Sequence, residues 1–225
     1  MYRYETHLHT AEGSSCSHTS AAAMAKAYKD AGYDGIFVTD HFFNSSTTVP
    51  RDLPWKQRIE LYCRGYENAL EEGKRIGLSV FFGVEYTVNG SDFLLYGIDK
   101  KWMINNEQLL MKSDERELFG AIRENGGFVI QAHPFREASY IPHISLYPRD
   151  VDGVETVNKR NSDPAMNTRA KQFAVSYNLP ATGGSDAHNP DELGGGILVP
   201  RPIGGTDDYF EMLLKGEVQP IEVNK

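Results

Sequence analysis

Cysteine is scarce in this chain. Only Cys16 and Cys63 occur among 225 residues, and they form no CxxC pair. This count argues against a thiolate zinc knuckle and against a disulfide framework. Apolar runs that approach the ~20 residues of a membrane span are also missing. The amino terminus lacks the basic-then-apolar pattern of a signal peptide. We therefore expect a soluble, cytoplasmic globular protein with no membrane association.

Positive charge is in deficit, with 23 Lys and Arg residues against 31 Asp and Glu residues and a net charge of −8. This balance argues against a broad electrostatic grip on nucleic acid. A small anionic substrate remains compatible, because bound cations can invert the local field. The GxxxxGK[ST] loop, the GxSxG elbow and a Ser-His-Asp order are all absent, so neither a nucleotide-cradling loop nor a covalent hydrolase is indicated.

Segments typical of strands and helices alternate along the chain. No repeat, low-complexity tract or linker divides it, so residues 1–225 are expected to form a single domain. Asn89-Gly90 is a strong hairpin signal, and the βαβα order predicts a mostly parallel sheet. The predicted strands cover 2–8, 35–39, 78–84, 86–88, 93–98, 128–132, 153–157, 179–183, 195–199 and 218–223. The predicted helices cover 21–30, 55–76, 114–125, 164–177 and 207–214.

Residues with metal-binding side chains lie at or just past the carboxyl ends of these predicted strands. In a closed barrel such ends converge on one rim, whereas an open sheet would spread them apart. Each of these residues alone could be a turn former, a solvated charge or a satisfied histidine, but their joint placement favours a barrel with a metal site. They are His7, His9, His41, Glu85, His133, Asp186 and His188. His7 and His9 are expected to share one face of the first strand, and neutral imidazole is the commonest protein metal ligand.

Five short motifs carry a family resemblance. His7-x-His9-Thr, Thr39-Asp40-His41, Gly83-Val-Glu85, Ala132-His133-Pro134 and Gly184-Ser-Asp186-Ala-His188 resemble the motifs of the polymerase and histidinol phosphatase (PHP) family, in the family's order. Cys16-Ser17-His18 further resembles the third histidine of the histidinol-phosphatase-like branch. The resemblance implies a distorted (β/α)7 TIM-like barrel that holds its metals at the carboxyl ends of the strands.

The resemblance also implies a ligand set. One ion would be held by His7, His9, Glu85 and Asp186. A second would share Glu85 and add His133, and a third would take His18, His41 and His188. Two or three divalent ions are thus implied, and mixed imidazole and carboxylate ligands suit zinc, manganese or iron. Glu85, Asp186 and His188 would take part in catalysis through these ions.

Some positions depart from the family pattern or extend it. Where the family often has a further histidine, this chain has Asp92, which is interpreted either as an oxygen ligand or as a hairpin residue. Glu155 is a candidate ligand or a supporting residue. Asp40 is expected to shape a turn or to orient a histidine. Arg136 and Arg160 are candidates for binding substrate phosphate, although either could be a solvated surface charge.

The implied function is hydrolysis of a small-molecule phosphate ester, such as histidinol phosphate or a nucleotide, by a water that the metals activate. A nuclease or proofreading module could use the same set of metal ligands, but the net negative charge of the chain argues against a nucleic-acid partner. An amidohydrolase-like enzyme is a further alternative, because an HxH pair at a strand end also opens those barrels. That alternative expects a bridging lysine where this chain has Glu85.

Overall fold

The computed structural model describes residues 1–139, 141 and 143–223. Its strands are β1 (Tyr2–Leu8), β2 (Gly35–Val38), β3 (Ser79–Val88), β4 (Ser91–Tyr96), β5 (Phe128–Gln131), β6 (Gly153–Asn158), β7 (Ala181–Gly184), β8 (Ile197–Val199) and β9 (Gln219–Pro220). Its helices are α1 (Ala21–Asp30), α2 (Trp55–Tyr62), α3 (Arg64–Ile76), α4 (Lys100–Asn105), α5 (Glu107–Lys112), α6 (Glu115–Glu124), α7 (Pro164–Tyr177) and α8 (Thr206–Leu214). Within the described ranges, no helix is both long and apolar enough to cross a bilayer.

The strands form one sheet in the order β7-β6-β5-β4-β3-β2-β1-β8-β9. β1, β2 and β3 pair in parallel, as do β5, β6 and β7, whereas β4 is antiparallel to both of its neighbours. The sheet curls until β1 meets the chain that follows β7. There the amide of Asp186 donates to the carbonyl of His7 at 2.8 Å, and that of His9 donates to the carbonyl of Ala187 at 2.9 Å. The predicted barrel is therefore confirmed, with its sheet nearly closed.

Apolar side chains form an interior cluster and separate outer clusters. The interior cluster combines inward-facing residues of the strands with α8, and it includes Tyr4, Phe37 and Tyr96. One outer cluster packs the sheet against α1 and α3, and another packs it against α2 and α4–α6. The helices thus cover the outside of the barrel, and the core fills the inside below the rim where the strands end.

A β-bulge in β1 decides which way the first histidine points. Tyr4 packs in the interior cluster, but Leu8, which a regular strand would place on the same face, packs in the outer cluster with α1. The register with β2 explains the reversal, because Glu5 pairs with Ile36 but Leu8 pairs with Val38. β1 therefore holds one extra residue, and such a bulge re-aims the side chains that follow it. His7 turns towards the rim as a result.

The elements differ from the sequence prediction in several places, and the predicted strand over 218–223 is shortened to Gln219–Pro220. The single helix predicted over 55–76 is two helices, α2 and α3, which meet at Cys63. The short helices α4 and α5 were not predicted. β3 does not end before Glu85 but continues to Val88, since it exchanges its parallel partner β2 for its antiparallel partner β4 near Gly83. The hairpin at Asn89-Gly90 is present between Val88 and Ser91.

Candidate metal centre

The rim of the barrel brings together seven side chains that we call the candidate metal centre. β1 supplies one of them, β3 supplies another, and the segments after β1, β2, β5 and β7 supply the rest. All are buried except one, whose side chain is 14% exposed. They are His7, His9, Glu85, His133, Asp186, His188 and the partly exposed His41. The structure thus gathers all the residues that the sequence placed at strand ends.

Glu85 lies at the middle of the centre and faces four imidazole rings. Its Oε1 is 3.1 Å from Nε2 of His7 and 3.4 Å from Nε2 of His133. Its Oε2 is 3.4 Å from Nε2 of His9 and 2.6 Å from Nδ1 of His41. The two oxygens therefore face different pairs of nitrogens, which is the arrangement of a carboxylate that bridges two ions.

Asp186 closes the same group of ligands. Its Oδ1 is 3.2 Å from Nε2 of His9 and 3.7 Å from Nε2 of His7, and those two nitrogens are 3.3 Å apart. These atoms are the donors that the family resemblance assigned to the first ion. The fold brings them close enough together to bind a single ion.

Polar atoms of the centre without hydrogen bonds show that its residues suit a cation. Nδ1 of His41 and Oε2 of Glu85 are buried and in contact, yet neither has a hydrogen-bond partner. Buried polar atoms are costly when unpaired, and an ion between a nitrogen and an oxygen would satisfy both. In the part of the chain that the structure describes, four sets of three ligand atoms lie within 4.8 Å of one another. Divalent cations therefore fit this donor set.

The rings of His7 and His9 are oriented by polar groups on the side that faces away from the centre. Nδ1 of His7 is 3.1 Å from Oε1 of Glu155, and Nδ1 of His9 is 3.0 Å from Oγ of Ser14. The Ser14 hydroxyl donates in turn to Oδ1 of Asp40 at 2.7 Å. With Nδ1–H of each ring donating outward, both Nε2 atoms face the centre, and each ring in its neutral form presents an Nε2 lone pair there, which is how supporting groups select the metal-binding tautomer.

The pKa values of His7 and His9 are shifted in opposite directions. Burial by itself lowers the pKa of His7, but the carboxylates of Glu155, Asp186 and Glu85 outweigh it and raise that pKa well above its usual value. For His9, burial and the neighbouring imidazoles hold the pKa well below its usual value. The neutral ring of His9 is thus ready to bind an ion, whereas His7 must first lose a proton.

The two central carboxyl groups stay ionised despite their burial. Burial raises the pKa of Glu85, but the imidazoles of His41 and His7 hold it well below its usual value. Burial acts in the same way on Asp186, and the Arg136 guanidinium outweighs it, so the pKa of Asp186 is also well below its usual value. Both groups therefore offer charged oxygens at neutral pH.

Asp92 occupies the position where the family often has a histidine. It lies in β4, and its Oδ2 is 3.8 Å from Nε2 of His133. Its Oδ1 accepts a hydrogen bond of 2.5 Å from Oγ1 of Thr87. Glu85, Asp92 and His133 form one of the sets of close ligand atoms. Asp92 is therefore not part of the hairpin turn. It pairs with Thr87 in the antiparallel ladder, and its side chain lies next to the centre.

His18 was expected beside the third ion. Its side chain is exposed, and neither His18 nor Cys16 belongs to the ligand sets found among the described residues. The Sγ of Cys16, which is also exposed, is 3.0 Å from Nε2 of His188. Burial raises the pKa of the Cys16 thiol, but hydrogen bonds from His188 and His41 outweigh it and bring the pKa to about 6.

Two arginines reach the centre from the rim. Nη1 of Arg136 is 2.5 Å from Oδ2 of Asp186, and its Nη2 donates to Oδ1 of Asn158 at 2.8 Å. Nη1 of Arg160 is 2.6 Å from Nδ1 of His188. Both arginines line a cavity of about 390 Å³ together with the centre, so the structure places them at the site and not on a distant surface.

Two of the ligand positions have unusual backbone. His133 has φ of 25° and Asp186 has φ of 55°, in the region that L-residues other than asparagine, aspartate and glycine seldom adopt. Such conformations cluster at functional sites, where the surrounding structure maintains them. The tight turns after β5 and β7 therefore aim these side chains back over the barrel.

Comparison with known families matches part of this chain. A family model described as PHP-associated matches residues 164–218, the stretch that contains Asp186 and His188. The match covers less than half of the chain, and it agrees with the family that the sequence motifs resemble. No curated protein matches the sequence significantly.

Solved structures share the barrel fold of this chain. A two-domain protein from Bacteroides vulgatus, which contains a predicted PHP-like metal-dependent phosphoesterase, aligns with a TM-score of 0.70 and 18% identity over 97% of this chain and 64% of that one. The present chain thus spans less than two thirds of that protein. A candidate metal-dependent phosphoesterase from Bifidobacterium adolescentis aligns with a TM-score of 0.59 and 16% identity over 96% of both chains. An amidohydrolase from Chromobacterium violaceum, with bound sulfate and no metal, aligns with a TM-score of 0.59 and 14% identity over 97% of this chain and 98% of that one. At these identities the likeness concerns the fold.

Two supporting residues of the candidate metal centre were not predicted. Ser14 links His9 to Asp40, as described above. Glu5 accepts hydrogen bonds from the amides of Thr6 and His7 at the bulge of β1. A carboxylate inside an otherwise buried strand was the available signal for Glu5, whereas the loop position of Ser14 carried none.

Replacing Glu155 tests how much the orientation of His7 matters. In Glu155→Gln the neutral side chain no longer holds His7 Nδ1–H by a charge-assisted bond. We expect the affinity for zinc to fall roughly 10–100-fold, as for other partners of metal-binding histidines. Titration of metal-free protein with zinc measures this effect. Glu222→Gln, which changes an exposed carboxylate paired with Lys171, should bind zinc as the wild type does, and equal affinities in both variants would contradict the role of Glu155.

Proposed function

We propose that this protein is a metal-dependent phosphoesterase of the PHP family that hydrolyses a small-molecule phosphate ester. The observation that supports it best is Glu85, which sets one oxygen against His7 and His133 and the other against His9 and His41. Glu85 would share its two oxygens between neighbouring ions, which would supply the charge neutralisation that in-line displacement at phosphorus needs. Relatives of the same fold are described as metal-dependent phosphoesterases.

The ligands divide over two or three ions in this proposal. His7, His9, Glu85 and Asp186 would hold the first ion. Glu85, His133 and Asp92 would hold the second, and His41 and His188 would hold part of a third. When bound, such ions activate a water molecule and neutralise charge on the phosphoryl group.

The chain's own residues would position the substrate. Arg136 is fixed by Asn158 and lies at the centre, and Arg160 lies beside His188. Guanidinium groups bind phosphate oxygens through paired, charge-assisted hydrogen bonds. These two residues would therefore hold the phosphoryl group on the ions, while the buried carboxylates of Glu85 and Asp186 keep the ligand set charged.

The size and lining of the cavity favour a small polar substrate. Its volume of about 390 Å³ is at the lower end for a ligand pocket. Ser45, Ser46 and Thr87 lie along it, and none of its described lining residues is Phe, Tyr or Trp. A platform on which nucleic-acid bases stack is thus missing from the described lining. The net charge of −8 agrees with this proposal, because it disfavours binding to polyanions.

An amidohydrolase-like activity is the second candidate. The similarity in fold to an amidohydrolase favours it. Two observations argue against this activity. Glu85 lies where that class of enzyme is expected to have a bridging lysine, and the described lining of the cavity includes no lysine.

The deciding experiment combines metal analysis with a substrate panel. Purified protein should contain divalent metal, lose activity with a chelator and recover it with zinc, manganese or iron. It should hydrolyse phosphomonoesters or phosphodiesters and leave amides intact. His9→Ala should lose metal and activity together, whereas His18→Ala, at an exposed position, should keep both. Hydrolysis of amides alone would overturn the proposal, and so would His9→Ala with full metal and activity.

The raised pKa of His7 predicts how zinc stabilises the protein at different pH. In metal-free protein the protonated ring adds stability that is complete below its unfolded pKa of about 6.5 and is lost as pH rises through the higher folded pKa. Zinc requires the neutral ring, so its affinity rises with pH. The increase in melting temperature caused by zinc should therefore be larger at about pH 8 than at about pH 6. Thermal melts with and without zinc measure it, and equal increases at both values would contradict the prediction.

A further inference from the structure

Cys16 meets two histidines of the candidate metal centre from the side of the cavity. Its Sγ is 3.0 Å from Nε2 of His188, and both residues line the cavity together with His41. Nδ1 of His188 lies on the other side of the ring, 2.9 Å from the carbonyl of Asp186. Nε2 is therefore the nitrogen of His188 that faces the thiol.

The loop around Cys16 is fixed on both sides. The amide of Ser15 donates to the carbonyl of Ser46 at 2.7 Å. The hydroxyl of Ser17 donates to the carbonyl of His188 at 2.8 Å. The position of Cys16 thus follows from backbone contacts made by its two neighbours, and it does not depend on the thiol's own contact with His188.

Independent evidence for a ligand here comes from the far side of His41. Oε2 of Glu85, whose side chain is 1% exposed, has no hydrogen-bond partner although it lies against Nδ1 of His41. His9, His41 and His188 also form a set of ligand atoms within 4.8 Å of one another. The thiol is therefore at the open side of a cluster that already has the character of a cation site.

We propose that the thiolate of Cys16 is a ligand of an ion held by His41 and His188, at the position where the sequence motif suggested His18. The inference rests on the metal centre of the proposed function. A thiolate with two imidazoles is a donor set that favours zinc or iron over manganese or magnesium. The site of the third ion would thus have softer ligands than a site formed by the carboxylates of Glu85 and Asp186.

Cobalt substitution tests the assignment without reference to activity, because a thiolate bound to Co²⁺ gives a near-ultraviolet charge-transfer band. The full chain is stripped of metal and titrated with Co²⁺, and bound cobalt is counted by elemental analysis. We expect the band in wild type, its loss together with one bound ion in Cys16→Ser, and its retention in Cys63→Ala and His18→Ala. Cys16→His should recover the bound ion without the band.

The outcomes separate the thiol from the rest of the centre. Full loading of the wild type with cobalt and no charge-transfer band would overturn the role of Cys16 and leave the proposed function standing. A band that persists in Cys16→Ser would overturn it as well. If wild type bound no cobalt at all, the metal centre itself would be refuted.

Discussion

Asp186→Asn is expected to reduce kcat/KM for a phosphomonoester by ~10³-fold, which corresponds to ~4 kcal/mol of transition-state stabilisation. The substitution removes a charge that lies 3.2 Å from Nε2 of His9 and 2.5 Å from Nη1 of Arg136. Without it, the first ion would lose a ligand and the partly buried guanidinium of Arg136 would lose its charged partner. Steady-state kinetics and metal analysis of the same preparation measure the two effects together.

Asparagine is the appropriate replacement because of the backbone. Asp186 has φ of 55°, and asparagine is among the few residues that adopt this conformation readily. A loss of activity can therefore be assigned to the charge and not to a strained turn. Asp30→Asn changes an exposed carboxylate of α1 that pairs with Lys26, and it should keep wild-type kinetics. Wild-type metal content and activity in Asp186→Asn would refute the proposed ligand set.

Glu5→Ala is expected to reduce the free energy of unfolding by roughly 3–5 kcal/mol. The Glu5 side chain is fully buried, and its Oε1 accepts from the amides of Thr6, His7 and Ser185 at 3.0, 2.9 and 2.8 Å. Its Oε2 accepts from the hydroxyl of Tyr28 at 3.0 Å. Alanine would leave these donors buried and unpaired, including the amides that the bulge of β1 removes from the sheet. Urea unfolding of metal-free protein measures the loss.

Two further variants test the explanation for Glu5. Glu222→Ala, at an exposed position, should change the free energy of unfolding by less than about 0.5 kcal/mol. Glu5→Gln keeps one acceptor oxygen and should lie between wild type and Glu5→Ala. If Glu5→Ala destabilised no more than Glu222→Ala, the hydrogen bonds at the bulge would not contribute as described.

The residues of the metal centre could be predicted because their positions follow from chain order. The ends of parallel strands meet at one rim, so His41, His133 and Asp186 had to approach one another once a barrel was assumed. The side-chain direction of His7 could not be predicted in the same way. Regular alternation was the assumption for β1, and the bulge between Glu5 and Leu8 alters that alternation through contacts with distant residues such as Ser185.

The positions of side chains in loops could not be predicted from the sequence. Cys16 and His18 are two residues apart, and motif spacing favoured the histidine. The choice between them depends on hydrogen bonds from Ser15 and Ser17 to segments far along the chain. The break between α2 and α3 was missed for a similar reason. The helical pattern is continuous there, but Gly65, in the first turn of α3, lies so close to Thr10 and Asp40 that an added Cβ would be 2.4 Å from Oγ1 of Thr10.

The contact between β1 and the segment after β7 has a consequence for the order of folding. Glu5 and Ser185 are 180 residues apart in the sequence, so the rim is complete only after the two ends of the barrel have met. Closing so long a loop is slow, and contacts formed this late usually lie beyond the transition state of folding. We infer that ions bind after the barrel has closed. Zinc should then slow unfolding while leaving the rate of refolding nearly unchanged, and stopped-flow refolding with and without zinc would show whether it does.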